Sequence, residues 1–191
     1  MYAVRSEGID PANGRERFIK KNGLPTYTWD ANDQVVVGDN NPDAQGSVGL
    51  NVAYKGFYLN ASFMYQWGAQ SYNETLLNKV ENADVRGSNV DRRVLTQRWM
   101  NPGDIAPFYD MGNQTKTQVT TRFVQDYDYF NFSGLSLGYD FSRELISKWR
   151  LRSLGLRFNM NDICRWSTVK EERGTSYPFS RSFSFTLNIG I

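Results

Sequence analysis

The chain has 191 residues, enough for one ordinary domain or for a portion of a larger protein. Its 22 Lys and Arg residues against 20 Asp and Glu leave a net charge of +2, too weak for electrostatic adhesion to nucleic acid or to an anionic surface. Histidine is absent, which removes the commonest general base and metal ligand, and Cys164 is the only cysteine, so no internal disulfide is expected.

The low hydropathy of the chain does not exclude a membrane. The mean hydropathy is −0.57, and no apolar run approaches the roughly 18 residues of a membrane-spanning helix. A β-barrel strand exposes only every second residue to lipid, so its average hydropathy stays low. Residues Met1 to Arg5 lack the pattern of a signal peptide, so an exported protein with this sequence is expected to be a mature form or a fragment.

Alternation of apolar with small or polar residues predicts about six strands. In chain order they are predicted at residues 2–6, where the pattern is weakest, and at 48–55, 57–67, 127–141, 150–160 and 179–191. The last is the clearest, because its odd positions from Phe179 to Ile191 are apolar except Arg181, and every even position is small or polar.

The links between these strands alternate strictly between short and long. Short links occur at residue 56 and at 142–149, whereas 7–47, 68–126 and 161–178 are long. Every short link therefore lies at one end of an up-and-down sheet, which is typical of outer-membrane barrels with short periplasmic turns and long extracellular loops. The predicted fold class is all-β: an antiparallel up-and-down transmembrane β-barrel segment, about six strands of a larger barrel.

A barrel wall has a lipid side and a lumen side. We expect Phe183, Phe185, Leu187, Ile189 and Ile191 on the lipid side and exposed, and Ser182, Ser184, Thr186 and Asn188 on the lumen side. The strand predicted at 127–141 exceeds the 9–11 residues that cross a bilayer, so its first part is expected to project above the membrane. Amphipathic rings near the strand ends favour interfacial girdles. They are Trp67, Tyr72, Tyr129, Trp149, Trp166 and Tyr177.

Several short motifs follow one another along the chain. They are Gly8–Glu16, Val37–Asp39, Tyr54–Phe57, Tyr72–Asn73, Arg98–Trp99, Pro102–Asp104, Leu135–Phe141, Asn161–Ile163 and Tyr177–Phe179. No one of them is specific, but the ordered set resembles the C-terminal barrel of SusC-like (SusC/RagA) TonB-dependent outer-membrane transporters, over nearly the whole chain. The terminal Ile191 departs from the aromatic residue that usually ends such barrels.

The resemblance implies location in the outer membrane of a Gram-negative bacterium and import of oligosaccharides or peptides. It also implies outer-membrane lipid, a SusD-like surface lipoprotein and the TonB complex as partners, the last through a missing N-terminal part. Residues 1–191 are then the C-terminal part of a barrel of about 22 strands, without the plug domain and the N-terminal strands. Such a fragment is expected to transport nothing alone.

Three motifs of other functions are weak. Gly134–Gly138 matches the nucleophile elbow G-x-S-x-G, but the strand pattern continues through Ser136 and no histidine exists. Asp39–Asp43 imitates a calcium loop, yet Ala44 replaces the required glycine and Leu50 the final glutamate, which favours a turn. Asn73, Asn113 and Asn131 begin N-glycosylation sequons, which mean little in an Asn-rich chain.

The sequence predicts no enzyme, no catalytic or metal residue, no cofactor and no nucleic-acid partner, and it leaves the substrate-binding residues unknown. Loop aromatics could stack on sugar rings or be buried within the loops, and neither reading is preferred. They are Trp29, Trp99, Phe108 and Tyr109. Two alternatives stay open: a soluble β-sandwich carbohydrate-binding module, and a hydrolase with paired carboxylates on different strands.

Overall fold

The computed structural model describes residues 1–110, 112–113, 115–170 and 181–191. Eleven strands run through these residues. The strands are β1 (Tyr2–Ile9), β2 (Glu16–Ile19), β3 (Pro25–Thr26), β4 (Gln34–Val36), β5 (Ala44–Tyr54), β6 (Phe57–Trp67), β7 (Gln70–Tyr72), β8 (Val124–Asp126), β9 (Tyr129–Asp140), β10 (Ser153–Ser167) and β11 (Phe183–Gly190).

The helices are short. The two α-helices are α1 (Glu74–Leu76) and α2 (Arg143–Ile146). A π-helical turn over Leu77–Glu81 follows α1 directly. The 3₁₀ turns cover Ala31–Asp33, Arg92–Leu95, Thr121–Phe123 and Ser147–Trp149. Among the described residues, no helix is long and apolar enough to cross a membrane.

The described residues divide into two compact units. The sheet unit consists of Asp43–Gly68, Asp128–Thr168 and residues 181–191, and the loop unit consists of Met1–Pro42, Ala69–Tyr127 and residues 169–170.

The sheet unit is one five-stranded sheet in the order β5-β6-β9-β10-β11, and every neighbouring pair is antiparallel. The five strands keep their chain order across the sheet, although β7 and β8 intervene between β6 and β9 along the chain, and this order confirms the predicted all-β, up-and-down class. A two-residue turn joins β5 to β6, with positive φ at Lys55 and Gly56, as type I′ hairpins require. A Cβ on Gly56 would lie 2.5 Å from the carbonyl oxygen of Asp140, so this close approach also needs glycine.

Two irregularities keep the apolar side chains on one face along the whole length of the sheet. Between β6 and β9 the register shifts next to Ser62, and between β9 and β10 it shifts between Asn161 and Cys164. Phe132 consequently lies on the same face as Leu135, although the parity of their numbers differs, and its partner Cys164 lies on the same face as Met160. A bulge has this effect because its extra residue has no partner on the neighbouring strand.

The predicted strand limits need correction at several points. The strand predicted at 57–67 has those bounds, and β5 begins at Ala44, earlier than residue 48. The strand predicted at 150–160 begins at Ser153 and continues to Ser167, so the first part of the predicted link 161–178 is strand. The link at 142–149 contains α2, and Phe179 lies outside the described residues.

The loop unit contains most of the long links. The strand predicted at 2–6 exists as β1, but it pairs with β2 and β4 in a sheet of order β3-β2-β1-β4, so its predicted place in the barrel sheet is wrong. β7 and β8 form a separate antiparallel pair. The loop unit has a hydrophobic core of its own. It consists of Leu76, Val80, Val94, Phe108 and Phe123, with Tyr72, Leu77, Ala83 and Val90 packed against it.

Candidate functional site

The sheet unit has one apolar face and one polar face. The registers bring the apolar residues into continuous cross-strand rows. From β5 to β11 they are Val48, Leu50, Val52, Tyr54; Phe57, Leu59, Ala61, Phe63, Tyr65, Trp67; Phe130, Phe132, Leu135, Leu137, Tyr139; Leu154, Leu156, Phe158, Met160, Cys164, Trp166; and Phe183, Phe185, Leu187, Ile189.

This apolar face is open. Phe185 is 68% exposed, and Phe183, Leu187, Ile189 and Ile191 are exposed as well, as the sequence predicted. Soluble monomers rarely expose apolar patches larger than a few hundred Å². The apolar face of the sheet unit is therefore suited to contact with an apolar environment.

Aromatic rings cluster at both ends of the apolar face. Trp67 and Trp166 lie at one end, both exposed, and the ring centroid of Trp166 is 6.0 Å from that of Phe130. Phe57 and Tyr139 lie at the other end with centroids 4.8 Å apart. Tyr139 is nine positions after Phe130, which corresponds to about 30 Å along the strand and to about 21–25 Å across a bilayer at the usual barrel tilt.

The predicted girdle residues divide into those that fit this arrangement and those that do not. Trp67 and Trp166 mark one end of the apolar face, and Trp149 is exposed in the link between β9 and β10. Tyr129 is on the polar face, with the Arg165 guanidinium 4.4 Å from its ring centroid. Tyr72 packs against Phe123 in the loop unit, and Tyr177 lies outside the described residues.

A cross-strand row on the polar face joins three strands. Tyr58, Gly138 and Arg157 are register partners on β6, β9 and β10. A Cβ on Gly138 would fall 1.8 Å from Cζ of Tyr58, so the tyrosine ring lies directly over the glycine. The guanidinium of Arg157 is 5.4 Å from the centroid of that ring, within the range of a cation–π contact. Glycine is needed here so that the ring can lie across the strand.

The serine of the G-x-S-x-G motif belongs to this polar face. Ser136 lies inside β9, and its hydroxyl donates a hydrogen bond to Asn159 Oδ1 at 2.7 Å. A nucleophile elbow requires a sharp turn from a strand into a helix. The continuous strand through Ser136 excludes that role.

The loop unit contains a buried ionic cluster around Arg122. Its Nη2 donates to Glu16 Oε2 at 2.7 Å and to Glu81 Oε1, and its Nη1 donates to the Pro107 carbonyl oxygen at 2.7 Å. The side chains of the three charged residues are at most 9% exposed. One guanidinium thus joins β2, the π-helical turn and the 3₁₀ turn before β8.

Burial and ion pairing act in opposite directions within this cluster. Burial alone would lower the pKa of Arg122, but the hydrogen bonds that it donates to Glu16 and Glu81 raise that pKa above its ordinary value. Burial raises the pKa of Glu81, although the hydrogen bond from Arg122 opposes this change. The two ion pairs therefore outweigh the effect of burial and favour the charged form of Arg122.

A second buried arginine holds the neighbouring backbone. The guanidinium of Arg98 donates to the carbonyl oxygens of Tyr109, Val80 and Glu81, each at 2.9 Å. It also donates to the Asp110 carbonyl oxygen at 3.3 Å. Buried carbonyl groups need such partners, so Arg98 supports irregular backbone in the loop unit.

The loop aromatics have structural partners. Phe108 and Tyr109 are buried, so of the two alternatives, stacking on sugar rings and burial within the loops, the second applies to them. The indole nitrogen of Trp99 donates to the Pro11 carbonyl oxygen at 3.0 Å, and that of Trp29 donates to the Val119 carbonyl oxygen at 3.2 Å. Trp29 stays half-buried and lines a cleft of the loop unit.

The segment with calcium-loop character has the hydrogen bonding of a turn. Asp39 Oδ1 accepts a hydrogen bond from the backbone N–H of Asn41 at 3.0 Å. Within the described ranges, no group of three or more Cys, Asp or Glu side chains could hold a metal ion.

Sequence reasoning missed the Glu16–Arg122–Glu81 cluster. Glu16 and Arg122 are 106 positions apart, and Glu81 and Arg122 are 41 apart. Glu16 falls at the end of the Gly8–Glu16 motif, but nothing in a single sequence indicates which cation a glutamate meets across such distances.

Three solved structures are similar to the whole of this chain. They are the RagAB peptide importer in the 'open-open' state (TM-score 0.74, 16% identity, 22% of that chain covered), the RagAB peptide transporter (0.76, 17%, 22%) and the RagAB peptide importer in the 'closed-closed' state (0.71, 16%, 23%). No protein-family model and no curated protein matches the sequence.

The comparison defines the class of fold. The alignment covers 100% of this chain and 22% of each of the RagAB importer and transporter chains, so the described sheet has the fold of a segment of such a chain. The resemblance to the SusC/RagA class is confirmed at the level of the fold, and the chain spans less than a quarter of the length of the chains that it matches.

Proposed function

We propose that this chain forms the C-terminal barrel segment of a SusC-like, TonB-dependent transporter in the outer membrane of a Gram-negative bacterium. The observation that carries the proposal is the open apolar face of a five-stranded, up-and-down sheet. The likeness in fold to RagAB importer chains supports it. The complete protein imports oligosaccharides or peptides, and a plug domain and N-terminal barrel strands lie outside residues 1–191.

In this proposal one face of the sheet contacts lipid and the other faces the lumen of the barrel. The apolar face contacts the lipid chains, with Trp67 and Trp166 at one interface and Phe57 and Tyr139 at the other. The polar face, with the Tyr58–Gly138–Arg157 row, lines the lumen. β5 and β11 pair with further barrel strands, because an open sheet edge has no hydrogen-bonding partner in lipid.

Partners follow from the same proposal. Long links leave the sheet at the end marked by Ala44, Trp67, Tyr129 and Ser167, and we assign this end to the cell exterior. A SusD-like lipoprotein would cover the transporter on that side. The TonB complex would act through the N-terminal part of the protein, from the periplasmic side.

We assign no catalytic role to this segment. The chain has no histidine, and Ser136 lies within a strand. The solved structures similar to it are named as an importer and a transporter. The soluble β-sandwich alternative has no supporting observation, because within the sheet unit the apolar residues are exposed and no second sheet packs on them.

Two neighbouring residues test the assignment of the faces. Leu135 lies about midway between the aromatic ends of the apolar face, and Ser136 lies on the polar face. We expect Leu135→Arg to destabilise the complete barrel protein folded in vesicles by about 2–4 kcal/mol, because its charge meets the bilayer midplane. Ser136→Arg, the matched control, is expected to cost much less. Urea titration of the tryptophan fluorescence measures both changes.

The solubility of the isolated chain gives a second test of the barrel-segment proposal. The isolated chain is expected to sediment in detergent-free buffer and to aggregate through its open edges. A sharp monomer peak in that buffer, with cooperative thermal unfolding and equal effects of the two arginine variants, would remove the barrel-segment proposal.

A further inference from the structure

Cations cluster at the end of the sheet unit where the short links lie. This end consists of the β5–β6 turn and of the link 141–152 between β9 and β10. Its acidic side chains are those of Asp140 and Glu144. Five exposed cations at this end form a basic patch. They are Lys55, Arg143, Lys148, Arg150 and Arg152.

The basic patch has no anionic partner within the described part of the chain. None of its five cations forms an ion pair with a described residue. At the other end of the sheet, in contrast, the residues directly before β5 and β9 are acidic, Asp43 and Asp128. A cluster of unpaired cations attracts anionic partners, so the basic patch is suited to contact with an anion outside this chain.

The link 141–152 has a defined conformation. Its helix α2 buries Ile146, which is 1% exposed, and the backbone N–H of Leu151 donates to the Ile146 carbonyl oxygen at 3.3 Å. The backbone N–H of Arg152 donates to the Gly190 carbonyl oxygen at 2.8 Å. These contacts hold the link against the sheet, so its cations have fixed backbone positions at this end.

Exposed apolar side chains lie among the cations. Leu145 is 51% exposed and Trp149 is 63% exposed, both in the link 141–152. The ammonium group of Lys55 lies 5.3 Å from the ring centroid of Tyr54, which belongs to the apolar face of the sheet. The basic patch therefore borders the apolar face. Lys and Arg beside exposed Trp and Leu are typical of segments that lie at a membrane–water interface.

We propose that the basic patch binds the headgroups of anionic phospholipids in the leaflet that faces the periplasm. The cations contact the phosphate groups, and Leu145 and Trp149 enter the boundary between headgroups and acyl chains. Clusters of about four to eight Lys and Arg residues beside a membrane-spanning segment are typical of anionic-lipid sites. The inference rests on the proposed transporter function and names the lipid that one end of the barrel wall contacts.

The position of the patch favours a lipid over an acidic protein. The proposed function places the apolar face in the bilayer, so headgroups lie beside Lys55 and Tyr54 wherever the barrel is inserted. An acidic protein would have to displace those headgroups to reach the same cations. Lipid A also has phosphate groups, but it belongs to the outer leaflet, at the end of the sheet where Asp43 and Asp128 lie.

Lipids of different charge test the preference directly. The probe is phosphatidylglycerol, and phosphatidylcholine is the comparison without net charge. Each is added to the complete barrel protein in neutral detergent micelles, and native mass spectrometry measures its binding. We expect phosphatidylglycerol to bind more tightly. This preference should decrease as the concentration of ammonium acetate rises, because salt screens interactions between exposed charges.

Variants then assign the preference to the basic patch. Lys148→Gln/Arg152→Gln should lower the affinity for phosphatidylglycerol about 30-fold, at about 1 kcal/mol for each cation, and leave that for phosphatidylcholine unchanged. Trp149→Ala should weaken binding of both lipids equally, because its ring does not distinguish headgroup charge. Lys20→Gln/Lys21→Gln is the matched control. It removes the same charge from exposed positions of the loop unit and should change neither affinity.

Any of three results would overturn the inference. The first is equal affinity of the unaltered protein for the two phospholipids, and the second is an equal loss of phosphatidylglycerol binding in the two double variants. The third is an effect of Lys148→Gln/Arg152→Gln on binding of lipid A or of polyglutamate without an effect on phosphatidylglycerol, since the patch would then serve another leaflet or an acidic protein.

These outcomes are distinguishable from failure of the proposed function. A complete barrel protein that inserts into vesicles but has no preference for phosphatidylglycerol contradicts only the inference. A protein that does not insert contradicts the transporter segment, and the inference with it.

Discussion

The two units of this chain stabilise themselves in opposite ways. Among the described residues that are both hydrophobic and fully buried, only Ala61 and Ile146 belong to the sheet unit, and the others belong to the loop unit. The loop unit also buries the ionic cluster of Glu16, Glu81 and Arg122. The sheet unit, in contrast, leaves Phe57, Leu187 and their neighbours exposed.

The difference shows what each unit requires from its surroundings. The loop unit forms its own core, so irregular backbone between short strands is held by side chains that meet inside it. The sheet unit satisfies its backbone through long antiparallel ladders, but many of its apolar side chains remain exposed. A bilayer supplies such a partner on one face, and further barrel strands supply the missing hydrogen bonds at the edges.

Removing the guanidinium of Arg122 should produce the largest effect. Arg122→Met leaves two buried carboxylates unpaired, and breaking a buried ion pair in this way costs about 3–5 kcal/mol. We expect faster hydrogen exchange in peptides that cover 72–82 and 119–126, with unchanged exchange in 57–67. Arg17→Met is the control, because the Arg17–Glu7 pair is exposed and should contribute at most about 1 kcal/mol. Equal loss of protection in both units would show that they are not stabilised separately.

The sheet unit was largely predictable because its signal is local. A period of two predicts a strand with two environments wherever it occurs, and this pattern gave β6 its bounds of Phe57 and Trp67. The prediction that ended a strand at residue 160 failed at a bulge. There Asp162 occupies the position at which the alternation of Phe158 and Met160 calls for an apolar residue, so the pattern breaks although the strand continues.

The loop unit was not predictable because its contacts are distant. β3 has two residues, and β4, β7 and β8 have three each, too few for any periodicity to appear. The strand at Tyr2 was found by its pattern, but its partners β2 and β4 were not. Arg98 binds backbone carbonyl groups. Every residue has such a group, so the sequence does not indicate which ones Arg98 binds.

Gly138 tests how the polar face of the sheet is built. Gly138→Ala places a methyl group where the Tyr58 ring lies, so the ring must move and its contact with Arg157 is lost. We expect a destabilisation of about 1–2 kcal/mol, of the size found for overpacking and for the loss of a cation–π contact. The same change in a Tyr58→Ser background should cost almost nothing. Urea titrations of the four variants of the complete barrel protein in vesicles measure this coupling, and additive effects would argue against the stacked row.

We expect the smallest effect on stability from substitution of Asp91, whose side chain caps the Arg92–Leu95 turn of the loop unit. Its carboxylate accepts from the backbone N–H of Arg93 at 2.8 Å and from Arg93 Nε at 2.9 Å, at the start of the Arg92–Leu95 turn. Burial alone would raise the pKa of Asp91, but the hydrogen bonds from Arg93 hold that pKa below its ordinary value of 3.8. Since the folded-state pKa is the lower one, the stabilisation is fully present above 3.8 and is lost as the pH falls through the folded-state value.

Asp91→Ala should therefore cost about 1 kcal/mol near neutral pH and progressively less below pH 3.8. Hydrogen exchange of residues 91–97, compared between the two proteins at each pH, measures the difference. A difference that stays constant down to the lowest pH would mean that the cap depends on shape alone and not on the charge of Asp91.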